Sequence, residues 1–303
     1  MHSSRPPGAA PDADAAATSA GRLAVLVTGA AKGIGAACVH RLARDGYRVY
    51  AGVRRDEDGE VLRRSVGGDV VVPILLDVTN PQQVADAAGR IAAETGEAGL
   101  YGVVNNAGVA IAGPLEYLPI DELRRQMEIN FIGQLAVTQT CLPLLRRATR
   151  PRIIFMSSIS GLTALPMTGA YAASKFALEA AADALRVELK PWGIAVSLVE
   201  PGVIATPIWD TALQAGERNV ARMPPEAVER YGNELDAMRK RAAQGMSGLP
   251  PEKVADVVAR ILRARRPRAR YLIGKDARGR LLAHRVLPTS VEDWIIRKVL
   301  DRL

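Results

Sequence analysis

Leu23-Ala24-Val25-Leu26-Val27-Thr28-Gly29-Ala30-Ala31-Lys32-Gly33-Ile34-Gly35 decides the fold. A short apolar, β-prone run (Leu23–Thr28) ends in glycine, and from Ile34 to Asp45 the apolar residues recur at helical spacing until Gly46 stops them. A strand that feeds a helix through glycines opens a βαβ unit. Glycine lets the backbone approach a pyrophosphate, and the helix N-terminus offers free N–H groups and the positive end of its dipole. The spacing here is G-x-x-x-G-x-G rather than the commoner G-x-G-x-x-G, but the physics is the same. Taken alone, such glycines also serve any tight strand-to-helix turn.

Outward from this stretch the alternation continues. Strands are predicted at Arg48–Val53, Val70–Leu76, Leu100–Val104, Ile153–Met156, Ile194–Val199 and Tyr271–Ile273. Helices are predicted at Pro81–Thr95, Asp121–Arg147, Ala170–Lys190 and from Pro251 to about Arg265. Strands separated by helices of this length mean a parallel sheet covered on both faces. The expectation is an α/β chain with one doubly wound, Rossmann-type sheet of about seven strands over residues 21–275. Residues 203–250 insert after the sixth strand, where lids and binding loops occur. Residues 1–20 read as a disordered lead, and residues 276–303 as a basic extension with an amphipathic helix from Val291.

Composition narrows the function. Aromatics make up 4%, too few for a single-strand stacking platform. Cys38 and Cys141 form neither a disulfide framework nor a metal-ligand pattern, so no metal and a reducing, cytoplasmic setting are expected. Met1–Ala20 has no apolar core and does not read as a signal peptide. The net charge of +8 lies entirely in the tail: residues 1–250 hold 26 basic and 26 acidic groups, residues 251–303 hold 14 and 6. That tail has no nucleic-acid motif, and nucleic acid is not an expected partner.

Two further motifs follow predicted strands. Asn105-Asn106-Ala107-Gly108 ends the fourth, at the strand C-termini where such sheets bind ligands; it also suits a plain turn. Tyr171-Ala172-Ala173-Ser174-Lys175 opens a helix with Ser158 thirteen residues upstream. Tyr171 and Lys175 share a helix face, and a nearby ammonium favours phenolate, which a phenol of ordinary pKa needs to act as a base.

Together these motifs make the chain resemble the short-chain dehydrogenase/reductase superfamily over roughly residues 22–275. Asp77 after the third strand, Asn130 in the long helix and Pro201-Gly202 with Thr206 complete the match. Phe155–Gly161 and Tyr171–Leu178 are similar to the retinol, 17β-hydroxysteroid and 3-hydroxybutyrate dehydrogenase branch. The resemblance implies a catalytic set of Asn130, Ser158, Tyr171 and Lys175. Tyr171 would be the general acid/base, Ser158 would bind the substrate oxygen, and Lys175 would hold the nicotinamide ribose and lower the Tyr171 pKa. Asn130 would hold a relay water. The thirteen-residue spacing selects Ser158 over Ser157. The implied cofactor-binding residues are Gly29, Lys32, Gly33, Ile34, Gly35, Arg54, Asp77, Val78, Asn105, Ala107, Gly108, Tyr171, Lys175, Pro201, Gly202, Ile204 and Thr206. Homodimers or homotetramers through the helices at 121–147 and 170–190 are implied as well.

Strand two ends Ala51-Gly52-Val53-Arg54-Arg55 with no acid before Asp56, and Lys32 sits in the turn, so NADP(H) is favoured over NAD(H). The expected reaction interconverts an alcohol and a carbonyl. A non-catalytic dinucleotide sensor or scaffold, or an enzyme for a small polar hydroxy acid or sugar, are the alternatives. Leu162–Met167, Val109–Ala112, Val203, Ile204, Ile208 and Trp209, with Met223, Met238 and Met246, suggest an apolar pocket and a lipophilic substrate. The tail stripe Val291, Trp294, Ile295 and Leu300 is expected to pack on the body or a partner subunit, in preference to a membrane surface.

Overall fold

The computed structural model describes residues 21–245 and 247–300, with side chains undescribed at 241–245 and 299–300. The expected lead at 1–20, Met246 and the side chain of Leu300 lie outside the described residues.

Seven strands form one all-parallel sheet in the order β3-β2-β1-β4-β5-β6-β7. They are β1 (Ala24–Val27), β2 (Arg48–Val53), β3 (Val71–Leu75), β4 (Gly102–Asn105), β5 (Arg152–Met156), β6 (Ala195–Pro201) and β7 (Arg270–Ile273). The alternation of side chains along a strand divides the interior into two layers. Val25 and Val27 of β1 face one core, shared with α1 (Gly33–Arg44) and α9 (Glu252–Arg263); α2 (Asp56–Val66) adds Leu62. Ala24 and Leu26 face the other, filled by α3 (Pro81–Thr95), α5 (Gly133–Leu145) and α6 (Gly169–Glu188). Each fully buried Leu or Ile here contributes roughly 1.5–3 kcal/mol. Cys38 and Cys141 are free thiols in opposite layers, both pushed up to about 12 by burial.

The chain leaves β1 towards β2 and β3, then returns to place β4 on the other side of β1. That reversal leaves a crevice at the C-terminal ends of β1 and β4. The insertion forms α7 (Ile208–Val220) and α8 (Pro225–Gly245), and returns through a parallel bridge between Ile204 and Leu249.

Three features differ from the sequence reading. The helix expected at 121–147 is α4 (Ile120–Met127), a π turn (Glu128–Ile132) and α5, an arrangement that apolar spacing does not reveal. α2 was not expected, because its sequence DEDGEVLRRSV buries only Gly59 and Leu62. The extension is two helices, α10 (Lys275–Val286) and α11 (Thr289–Leu300), and α10 begins directly after β7.

Candidate active site

The glycine turn is built to bring backbone together. Gly29 has φ +62°, and a Cβ there would lie 2.8 Å from the Ala107 Cα. A Cβ on Gly35 would run into the Gly29 carbonyl, so its lack of a side chain closes the turn against α1. No side chain caps α1, and no acid occupies its first turn, which leaves its N–H groups and dipole for an anion. These features fit a dinucleotide pyrophosphate.

The neighbouring loop is fixed by side-chain amides. Asn106 Nδ2 donates to the carbonyls of Thr28 (3.0 Å) and Gly29 (3.1 Å), tying β4 to the turn. Gln126, Asn130 and Gln134, four residues apart and fully buried, hold the segment 107–111 by its backbone. Gln134 Nε2 donates to the Ala107 carbonyl at 2.8 Å. Asn130 takes the Val109 N–H and donates to the Val109 carbonyl, both at 2.9 Å. Gln126 takes the Ile111 N–H at 2.8 Å. Gln126 and Gln134 escaped the sequence reading, which named Asn106 only as part of the Asn105–Gly108 motif.

Beside this loop, β5 ends at Met156 and releases Ser157 and Ser158. Ser158 caps a short 3-10 turn, its hydroxyl accepting the Ser160 N–H at 3.1 Å. Tyr171 and Lys175 stand on the first turns of α6. The Tyr171 phenol is hydrogen-bonded to Ser158, which pulls its pKa down, but burial dominates and pushes it up. Lys175 Nζ donates to the Met156 carbonyl at 2.7 Å and lies 5.7 Å from the centre of the Tyr171 ring. Burial lowers its pKa to about 8, against the pull of Glu179. The ammonium is directed at the Met156 carbonyl, and the hydrogen bond that lowers the Tyr171 pKa comes from Ser158.

Behind Lys175 an acid cluster gathers on Arg270, with Glu179 and Glu200 buried and Asp183 partly exposed. Arg270 of β7 reaches Asp183 at 2.6 Å, and Glu179 and Glu200 at 3.1 Å each. Three carboxylates face the guanidiniums of Arg270 and Arg186, the latter reaching only Asp183, and burial together with Glu179 pushes Glu200 up to about 7.

One cavity of about 2050 Å³ joins these parts. Its walls include Gly29, Lys32, Gly33, Ile34, Arg54, Asp77, Val78, Ala107, Gly108, Ser158, Tyr171, Lys175, Pro201, Gly202, Ile204 and Thr206. Three expected residues stay off the wall. Gly35 packs the turn from behind. Asn105 is buried and donates to Thr138 at 2.8 Å, so Asn106 takes its place at the surface of the cavity. Asn130 is buried behind Val109, and its amide donates to Val109 and Ser174. Among the described residues no group of His, Cys, Asp and Glu could hold a metal ion.

These parts and their order along the chain match one family model. Residues 23–216 match the short chain dehydrogenase model. The chain belongs to the short-chain dehydrogenases. Curated relatives support this along most of its length. It is 38% identical over 287 residues to human retinol dehydrogenase 5, covering 92% of this chain and 89% of the relative. It is 36% identical over 276 residues to a 3-amino-tetrahydro-pyrrolizinone reductase of Xenorhabdus hominickii, covering 90% and 94%. Among solved structures, a short chain dehydrogenase from Burkholderia cenocepacia in complex with NADP superposes with a TM-score of 0.68 at 28% identity, covering 90% of this chain and 96% of that one.

The substrate end of this short-chain dehydrogenase is only partly as expected. Val109, Ala110, Ile111, Ala112, Leu165, Pro166, Met167, Val203, Ile208, Trp209 and Met238 line the cavity, whereas Leu162, Thr163, Ala164 and Met223 do not. Met167 holds φ +67°, a strained conformation for a methionine, fixed by its carbonyl accepting the Gly113 N–H at 2.8 Å. The extension supplies wall residues that the sequence reading did not place: Lys275, Asp276, Arg278 and Arg280. Asp276 accepts the Val203 N–H at 2.8 Å, and Arg280 donates to the Thr163 carbonyl at 3.0 Å.

Proposed function

We propose that this chain is an NADP(H)-dependent oxidoreductase that interconverts a lipophilic alcohol and its carbonyl, with Tyr171 as general acid/base. One observation carries the reading: Ser158, Tyr171 and Lys175 meet in a single cavity that begins on the glycine turn and ends among apolar side chains. A nicotinamide bound there supplies or accepts the hydride. Ser158 positions the substrate oxygen and Tyr171 exchanges its proton. Burial keeps the phenol protonated at neutral pH, the form needed to donate to a carbonyl during reduction. Lys175, charged below about pH 8, places a cation beside the phenol and the ribose position.

The cofactor preference rests on Lys32 and Arg54, which line the turn end of the cavity. Arg55 is committed to Asp58 through two hydrogen bonds of 2.9 and 3.0 Å. Pairing neutralises Asp58, so Lys32 and Arg54 remain as the cations on this part of the wall, suited to a 2′-phosphate. The NADP complex of the Burkholderia relative supports this preference. The retinol dehydrogenase likeness and the apolar wall support a lipophilic substrate. Exposed Ile132 and Phe176 on the α4–α6 side support pairing of subunits through those helices.

The test is a panel of carbonyls and alcohols followed at the reduced nicotinamide absorbance band. Long-chain, retinoid-like or steroid-like carbonyls with NADPH should give the highest kcat/KM. A preference for sugars or short hydroxy acids would overturn the substrate assignment, and equal efficiency with NADH would overturn the cofactor assignment.

A further inference from the structure

Within one copy of the chain the α10–α11 extension leaves much of its described apolar stripe exposed. Trp294 is 62% exposed, Ile295 39% and Val291 38%. On α10, Leu282 is 64% and Val286 69% exposed, while Ala277 on the opposite side is buried. Helical spacing places Lys275, Arg278, Leu282, Arg285 and Val286 on that outer side of α10. Val291, Trp294, Ile295 and Lys298 form a corresponding stripe on α11. Each stripe therefore mixes large apolar side chains with cations.

These helices are anchored to the body. Asp276 and Arg280 tie α10 to the loops after β6 and β5. His284 and Glu292 join α10 to α11 at 2.9 Å. No helix among the described residues is long and apolar enough to cross a membrane.

We propose that the α10–α11 face docks on an anionic lipid surface, with the apolar side chains entering the interface and the cations meeting headgroup phosphates. Charge complementarity selects this occupant over a second copy of the chain. A two-fold contact sets the patch against the same patch of a second copy, so both sides would bring Lys275, Arg278, Arg285 and Lys298 to one interface. A bilayer with acidic headgroups satisfies both halves of the face, each bound cation raising partitioning roughly fivefold. Lys275 and Arg278 also line the cavity mouth, so docking would set that mouth beside the lipid.

The test is co-sedimentation of the full chain with vesicles of equimolar phosphatidylcholine and phosphatidylglycerol, against phosphatidylcholine alone, at low and high salt. The wild type should bind the mixed vesicles at least about tenfold more strongly, and salt should weaken binding. The double variant Leu282→Glu/Trp294→Glu should lose about tenfold in binding. Both positions are exposed, so thermal unfolding and turnover of a water-soluble carbonyl should be unchanged. The charge-reversal pair Arg285→Glu/Lys298→Glu should lose binding in the same way and serves if the first variant misfolds. No wild-type binding at low salt, equal binding to phosphatidylcholine alone, or unchanged binding by both variants would overturn the proposal. So would a concentration-dependent dimer abolished by Leu282→Glu/Trp294→Glu without vesicle binding. None of these readouts depends on which substrate the enzyme turns over.

Discussion

Replacing Glu200 by glutamine should stabilise the protein at pH 8 and lose that advantage by pH 5. Glu200 is 1% exposed at the end of β6 and shares the Arg270 guanidinium with Glu179 and Asp183. Burial first, and the Glu179 charge second, raise its pKa from 4.5 to about 7. A carboxyl raised in this way favours the fold fully below about pH 4.5 and loses that contribution as pH climbs to about 7. Above that range, ionised Glu200 costs the fold roughly 3 kcal/mol, at about 1.4 kcal/mol per pKa unit. Glutamine removes this cost but brings an amide whose N–H groups need partners, a penalty of about 1–2 kcal/mol. The net expectation is a gain of about 1–2 kcal/mol at pH 8, shrinking to nothing or reversing near pH 5. Urea unfolding of both proteins across this range measures it directly. A difference independent of pH, or a wild type more stable at pH 8, would refute the reasoning.

Two other outcomes follow from the site. Carbonyl reduction should decline as pH rises through about 8, because the lowered pKa of Lys175 means its charge is present below that value and lost above it; a rate profile with no such limb would contradict the assignment. Gly35→Ala should weaken NADPH binding about tenfold or more, since its Cβ would displace the Gly29 carbonyl and sit 2.7 Å from Asn106 Nδ2. Fluorescence titration with NADPH checks this, and an affinity within about twofold of wild type would speak against a tight turn.

The reading of the sequence succeeded where local chemistry and tertiary packing agree. α3 was placed at Pro81–Thr95 by its alanine-rich helical pattern, and its local chemistry agrees: Asn80 caps it, accepting the Gln82 and Gln83 N–H groups, and Pro81 suits the first helical position. β2 shows the same agreement. α2 and α10 were missed because their faces are mostly charged and few of their residues are buried. The π turn at Glu128–Ile132 leaves no trace in periodicity, yet it helps aim Asn130 at Val109 and Ser174. Ser158, Tyr171 and Lys175 were named through the family resemblance that their motifs carry, and the fold brings them to one cavity. The cations at the substrate end were not: Lys275 and Arg278 lie about a hundred residues from Tyr171 and reach the cavity only because β7 returns the chain beside β6. Whether Asn105 or Asn106 faces the cavity depends on strand parity, which the doublet alone leaves open.

The central claim is that Tyr171 moves the proton in a hydride-transfer reaction whose cofactor rests on the glycine turn. NADPH carrying deuterium at the transferable nicotinamide C4 position, incubated with a lipophilic carbonyl, tests it by mass spectrometry of the product. The account predicts one deuterium on the carbinol carbon with the wild type. With Tyr171→Phe it predicts essentially no product while NADPH still binds. Undiminished deuterated product from Tyr171→Phe would contradict it.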